Sequence, residues 1–255
     1  MSIGVNQVVN IPYETSLSAH QIYGNNQIYL KIGDNLENIY NKIEISFLDP
    51  TSHMAIENVF RLALVSAFQF AESLSDSSTA NATMKRVDWK YALYLPLNHP
   101  GISINSLCNF RQGLCSARKA YQVFGNLLNT LDDLGLFTSF SSHCQDPKLT
   151  LSIICQTNRF LDLMDGMKAA LGLVASIAPE WVKGQISPHW YQRYKTGPLR
   201  PLDFTQLSEI QIHADQIGAD IFALLSALKK TDAPALNSTI EIRKLNILFQ
   251  EQFQQ

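Results

Sequence analysis

Apolar side chains recur at helical spacing along most of this chain. Between Met54 and Ser73 they include Val59, Phe60, Leu62, Ala63, Ala67, Phe70 and Ala71, a wide stripe that predicts one helix with a broad buried face. Leu74-Ser75-Asp76 interrupts it, and Ser75 or Asp76 is placed to cap a second helix running toward Val87. A turn that short between two helices permits a helix-turn-helix geometry. The helical pattern continues through Val87-Asp88-Trp89-Lys90-Tyr91-Ala92-Leu93 and gives way to a loop at Pro96 and His99-Pro100-Gly101.

Upstream, residues 1–26 are polar and read as a tail with a short extended piece. Ile28-Tyr29-Leu30-Lys31-Ile32 reads as a short strand or an entry segment, and Asp34 as the cap of a short helix from Asn35 to Lys42. Downstream, Ser103 or Asn105 caps a helix through Phe110, a further helix spans Ala117 to Leu134, and Gly135 sits at its C′ position. Residues 136–148 read as a polar loop. A long helix follows from Leu149 to Ile177, with Leu161, Met164, Leu171 and Val174 among its apolar positions and Pro179 at its end. Ser187-Pro188 opens a short helix through Tyr194, Pro198 and Pro201 bracket a linker, and Thr205 caps a helix to Lys230. A last helix starts at Thr239, beyond Pro234. The fold class is all-α: a multi-helix domain with a helix-turn-helix-like element, then a helical extension. No repeated unit indicates a solenoid.

Composition alters this picture little. Hydrophobic residues make up 46% and charged ones only 16% of 255 residues, which suits a folded chain with a sizeable core. The net charge of −2 argues against strong autonomous binding to nucleic acid and leaves room for a local basic face. No apolar run approaches membrane-spanning length, so no membrane contact is expected. Met1 to Glu14 has neither the basic nor the apolar region of a signal peptide, and a cytoplasmic location is expected. Cys108, Cys115, Cys144 and Cys155 lack the two-residue spacing of a zinc knuckle and read as buried thiols. His143 beside Cys144 cannot close a tetrahedral site alone, so no metal site is predicted.

Charge clusters in one region. Lys85, Arg86, Lys90, Arg111 and Arg118-Lys119 surround Trp89 and Tyr91. Two readings stand: these cations share a face and grip phosphates, or they are ordinary charges around a structural tryptophan. Trp89 is expected to be buried against the helix carrying Phe68 and Phe70, with Lys90 pointing outward. Arg193, Lys195 and Arg200 form a smaller cluster around Tyr191 and Tyr194. Asp146, before Pro147, reads as a loop residue or a helix cap. No glycine-rich phosphate loop, nucleophile elbow or zinc-histidine pair is present.

Several segments together carry a resemblance. They are Arg61-Leu62-Ala63-Leu64-Val65, Gln69-Phe70-Ala71-Glu72-Ser73-Leu74-Ser75-Asp76, Val87 to Leu93, Pro100-Gly101 and Phe110-Arg111. Tyr29-Leu30, Asn158-Arg159, Ala178-Pro179-Glu180-Trp181, Trp190-Tyr191-Gln192-Arg193-Tyr194 and Gln216-Ile217-Gly218-Ala219-Asp220 extend the pattern. In order and spacing they resemble the N-terminal helical part, InsH-type, of DDE insertion-sequence transposases. The resemblance divides the chain into a tail (1–26), a transposase-type N-terminal helical domain (27–138) and a helical extension (139–255).

It also implies a function in DNA transposition, with insertion-sequence ends, a second copy or a full-length transposase as partners. The family's first catalytic acid falls on Asp146, here in the altered context Cys144-Gln145-Asp146-Pro147-Lys148. The remaining acids belong to an RNase H-like domain beyond Gln255. The expectation is therefore a vestigial Asp146, no cutting by this chain alone and no resident cofactor, although the family's chemistry uses Mg²⁺. Asp162, Asp165 and Glu180 fit a solvated face. DNA contact is assigned to Lys85, Arg86, Lys90, Arg111 and Arg118. The alternative is a helical interaction or regulatory module, or an inert remnant, derived from a transposase.

Overall fold

The computed structural model describes residues 11–24, 26–43, 56–116, 118–137, 146–185, 187–195, 206–230, 233 and 235–253. Thirteen helices and no strand occur among them, so the protein is all-α. Packing divides the chain into two units, residues 1–154 and 155–255.

The first unit is built around α4 (Ile56–Glu72). Between Val59 and Phe70 nearly every side chain is buried, not just one stripe. A helix apolar all round has to be enclosed, and α5 (Asp76–Lys85), α7 (Ile104–Ser116) and α8 (Arg118–Asp133) enclose it. α6 (Val87–Ala92) carries Trp89, which is fully buried, and packs on α1 (Tyr13–Ile22) and α2 (Ile28–Asp34). Trp89 meets Phe68 edge to face at 5.3 Å and Tyr29 at 5.8 Å, whereas Phe70 turns toward Phe137 at 5.6 Å. The expected burial of Trp89 is observed, against Phe68 but not Phe70.

Two N-terminal expectations are corrected. Residues 13–22 are helical, not an extended tail, and their Thr15 hydroxyl donates to the Leu95 carbonyl at 2.9 Å. Residues 28–34 form a helix in place of a short strand. Gln27 Oε1 accepts the Leu30 amide at 3.0 Å and caps it. Gly33 admits the Tyr91 ring against this helix, since a Cβ there would collide with the ring. Asp34 ends α2, and Asn35 takes the N-cap position of α3 (Leu36–Lys42).

Helix ends fix the turns. After α4, the Leu74 amide bonds the Gln69 carbonyl and the Ser73 amide the Phe70 carbonyl. This is a Schellman stop with Ser73 at φ 52°, an angle that usually selects glycine. Tyr94 (φ 44°) and Gly135 (φ 89°) close α6 and α8 in the same way, and Gly135 stands at the expected C′ position. Ser75 then caps α5 by accepting the Ser78 amide at 3.1 Å. Extended backbone at Arg86 stops α5 short of Val87. Ser103 caps α7 from the Ser106 amide at 3.1 Å, and α7 continues past Phe110 to Ser116.

α9 (Pro147–Ile177) runs from the first unit into the second. The second unit adds α10 (Pro179–Gln185), α11 (Pro188–Lys195), α12 (Leu207–Leu228) and α13 (Ile240–Phe253). α12 and α13 pack closely, and Phe253 covers Gly218, where a Cβ would strike its ring. Cys115 and Cys155 are exposed rather than buried, Cys108 is half-buried, and Cys144 lies outside the described residues. Among the described residues no helix is long and apolar enough to cross a membrane.

Candidate functional site

The five cations assigned to DNA contact do not form one open face. Arg111, on α7, is buried. Its guanidinium donates to Asp76 Oδ2 at 2.6 Å and to Gln69 Oε1 at 3.1 Å. Gln69 Nε2 closes the ring by donating to Asp76 Oδ1 at 2.7 Å, and the Cys108 thiol adds a contact to Asp76 Oδ2 at 3.4 Å. Three helices are thereby joined through one desolvated ion pair, and no phosphate can reach this guanidinium without breaking it. The assignment of Arg111 to DNA contact is corrected to an internal tie.

Arg86, between α5 and α6, is also engaged internally. It grips Asp88 with two bonds, Nε to Oδ1 at 3.1 Å and Nη2 to Oδ2 at 2.6 Å, and Glu72 through Nη1 at 2.6 and 2.8 Å. Its plane lies 5.2 Å from the Tyr29 ring and 5.0 Å from the Trp89 ring. Trp89 Nε1 and the Tyr29 hydroxyl both donate to Glu72 Oε1, and Gln27 donates to Asp88 Oδ2 at 2.9 Å. Burial, then the hydrogen bond to Glu72 and its negative charge, push the Tyr29 phenol far above its ordinary value. Burial opposes the Arg86 charge, but its bonds to Asp88 and Glu72 overcome that penalty and hold it above the usual arginine range. With two carboxylates already on it, Arg86 has little charge left for a phosphate.

Lys90 does not point outward. It is 4% exposed, and its ammonium donates to the Leu97 carbonyl. The physical reason is the short α6: the Schellman turn at Tyr94 folds the chain back so that the Leu97 carbonyl meets the lysine. Burial lowers its pKa. The neighbouring Tyr91 hydroxyl donates to Asp34 Oδ1 at 2.6 Å, and burial first, then Asp34, push that phenol up to about 12.

Lys85 and Arg118 are exposed. Lys85 lies in the last turn of α5, where the helix dipole favours a cation. It shares the exposed side of α5 with Ser77, Ser78, Asn81 and Met84. Arg118 opens α8.

Asp146 is exposed, and its Oδ1 accepts the Lys148 amide at 2.8 Å while its carbonyl accepts the Thr150 amide at 3.0 Å. That is N-cap geometry, with Pro147 in the first helical position. Asp162 accepts from Asn158 at 3.0 Å, Asp165 is exposed, and Glu180 pairs with Lys183 at 2.7 Å. Among the described residues no three His, Cys, Asp or Glu side chains gather as a metal site. The described residues do not fit the divalent metals of a strand-cutting centre.

In the second unit Arg193 bonds Asp220, which also accepts the Tyr194 hydroxyl at 2.7 Å. Lys195 bonds the Tyr191 hydroxyl, His189 is exposed, and Arg200 lies outside the described residues. Burial and the bond to Asp220 push the Tyr194 phenol up. Arg159 pairs with Asp215 at 3.3 Å and lies 4.8 Å from the Phe253 ring.

One polar site was not anticipated from the sequence. A surface cavity of about 300 Å³ in the first unit is lined by Asn58, Arg61, Leu62, His99, the segment Gly101–Ser103 that leads into α7, and Ser106 in its first turn. The His99-Pro100-Gly101 segment signalled only a loop. Burial, Arg61 and Lys90, in that order, lower the pKa of His99. No protein-family model matches this chain, and neither a curated protein nor a solved structure matches it significantly.

Proposed function

We propose that this chain is the helical, recognition part of a transposase-like protein of an insertion sequence, acting in DNA transposition by binding rather than by cutting. One observation carries the reading. The polar residues of the resembling segments, Gln69, Glu72, Asp76, Asp88, Trp89, Tyr91 and Arg111, engage one another or α2 through buried or half-buried hydrogen bonds within one unit. Such a set specifies one packing of helices, so the segments that carry the resemblance act as one structural unit. DNA contact then rests on the exposed Lys85 and Arg118. The test is equilibrium binding of the full chain to duplexes carrying the element's terminal repeats and to shuffled duplexes, over a range of salt. Lys85→Gln and Arg118→Gln should each reduce the salt slope by about one unit. A folded chain that binds neither duplex at low salt would remove the DNA role.

A second reading, self-association of a helical interaction module, is favoured by one feature of the second unit. Phe222 is 59% exposed and stands 6.1 Å from Phe249, which stacks on Phe253 at 5.2 Å, with Ile247 also exposed. Sedimentation of the chain and of Phe222→Ser tests it. A monomer at all concentrations rejects self-association.

A further inference from the structure

The cavity beside the start of α7 has the chemistry of an oxyanion receptor. Arg61 is fixed before any ligand arrives: Nε donates to the Leu93 carbonyl at 3.3 Å, Nη1 to Asn58 Oδ1 at 3.1 Å, and the guanidinium lies 4.1 Å from the Tyr94 ring. Among the described residues none of its partners is a carboxylate, in contrast to those of Arg86 and Arg111. His99 Nδ1 accepts the Gly101 amide at 3.1 Å, which leaves the proton on Nε2 as a donor. Ser103 and Ser106 add hydroxyls, 2.8 Å apart. Ser103 caps α7 by accepting the Ser106 amide, so both hydroxyls stand at the positive end of this 13-residue helix. Among the described residues no Asp or Glu lines the cavity.

We propose that this cavity binds a phosphate group, as free phosphate or as the monoester of a small molecule, between Arg61, His99 and the start of α7. A planar, pre-positioned guanidinium suits two oxygens of such a group, and charge-assisted bonds of this kind are the strong ones. A volume of about 300 Å³ is at the small end for ligand sites and fits a phosphorylated small molecule rather than a polymer. The site is separate from Lys85 and Arg118, so it stands or falls independently of DNA binding.

The test titrates the full chain with inorganic phosphate, then with phosphoserine and serine as a matched pair, reading heat and thermal midpoint. Saturable binding of phosphate, and of phosphoserine but not serine, is expected. Arg61→Gln should weaken it by about tenfold or more. Because Arg61 also braces Tyr94, a second variant is needed that leaves the fold alone. Ser103→Asp keeps a side chain that caps α7 and puts a negative charge at the cavity. It should abolish the phosphate response while its own thermal midpoint without ligand stays near that of the parent. Phosphate binding that survives unchanged in Ser103→Asp, or no saturable response in the folded parent, overturns the proposal. Binding of phosphate without phosphoserine assigns the cavity to the free ion.

Discussion

Replacing Arg111 by methionine asks whether this guanidinium is structural or reserved for a ligand. Its side chain is 8% exposed and that of its partner Asp76 6%, with 2.6 Å between them. Methionine preserves the aliphatic stem but removes the cation that balances the buried Asp76 charge, leaving Gln69 and Cys108 among its neighbours. Breaking a buried pair from one side costs about 3–5 kcal/mol, far more than losing an exposed pair. With a urea dependence of about 2 kcal/mol per molar, the midpoint should fall by about 1.5–2.5 M. Asp76→Asn in the same background removes the stranded charge. The double variant should therefore recover part of the loss, with a coupling energy of about 2–3 kcal/mol. Tryptophan emission would mix the two units, because Trp181 and Trp190 lie in the second. Hydrogen exchange of α5 and α7 segments, measured across urea, isolates the effect. A midpoint shift below about 0.5 M, or strictly additive single variants, would refute the reading of a structural pair.

Trp89→Ala should cost about 3–5 kcal/mol, as for other large core aromatics, because the ring is fully buried between Tyr29 and Phe68; denaturation of the first unit reads it. Tyr91, ordinarily near 10 and held at about 12, favours the protonated fold. Its contribution is therefore complete below pH 10 and disappears as pH rises toward 12, and Tyr91→Phe should show less loss of stability than the parent across that window. Asp146→Ala should remove an N-cap from α9 at a cost of about 0.5–2 kcal/mol. Nicking of a supercoiled plasmid with Mg²⁺ or Mn²⁺ should be absent in the parent and in this variant alike, and metal-dependent nicking lost with Asp146 would restore a catalytic role.

Most helices from residue 56 to 253 were legible because their signals are local; α10 was not, since Pro179 read as the end of α9 and in fact opens a further helix. Apolar spacing marked α4, α8 and α9, Ser75 and Ser103 marked starts, and Gly135 marked a stop. The N-terminal helices were not. Ile28 to Ile32 fits either period over five residues, and packing on α6, not pattern, decides it. Ser73 and Tyr94 end helices at positive φ with residues that do not advertise the turn. The basic cluster misled for a related reason. A cation's partner is set by tertiary contact, and Asp76 lies 35 positions from Arg111, so sequence shows the charge without its neutraliser. Arg61 shows the converse: nothing near it in sequence distinguishes it from Arg86, yet among the described residues it has no carboxylate partner.

The internal use of these cations sets a bound on any DNA contact. Arg86, Lys90 and Arg111 are tied to Glu72, Asp88, the Leu97 carbonyl and Asp76, so the first unit's outer field comes from other groups. Its exposed described cations are Lys31, Lys42, Lys85, Arg118, Lys119 and Lys148, against Glu14, Asp34, Glu37, Asp133 and Asp146. Among the described residues that near balance provides no broad phosphate-attracting face. If Lys85 and Arg118 each release one counterion, the logarithmic salt slope of duplex binding is roughly −2. Engagement of all five cations of the sequence pattern would give roughly −4.5 and would require the Arg86 and Arg111 pairs to open. Titration at several salt concentrations separates these values directly. A slope near the larger figure, unaffected by Lys85→Gln, would mean that the networks rearrange on DNA and that the packing described for Arg86 and Arg111 belongs to the unbound protein alone.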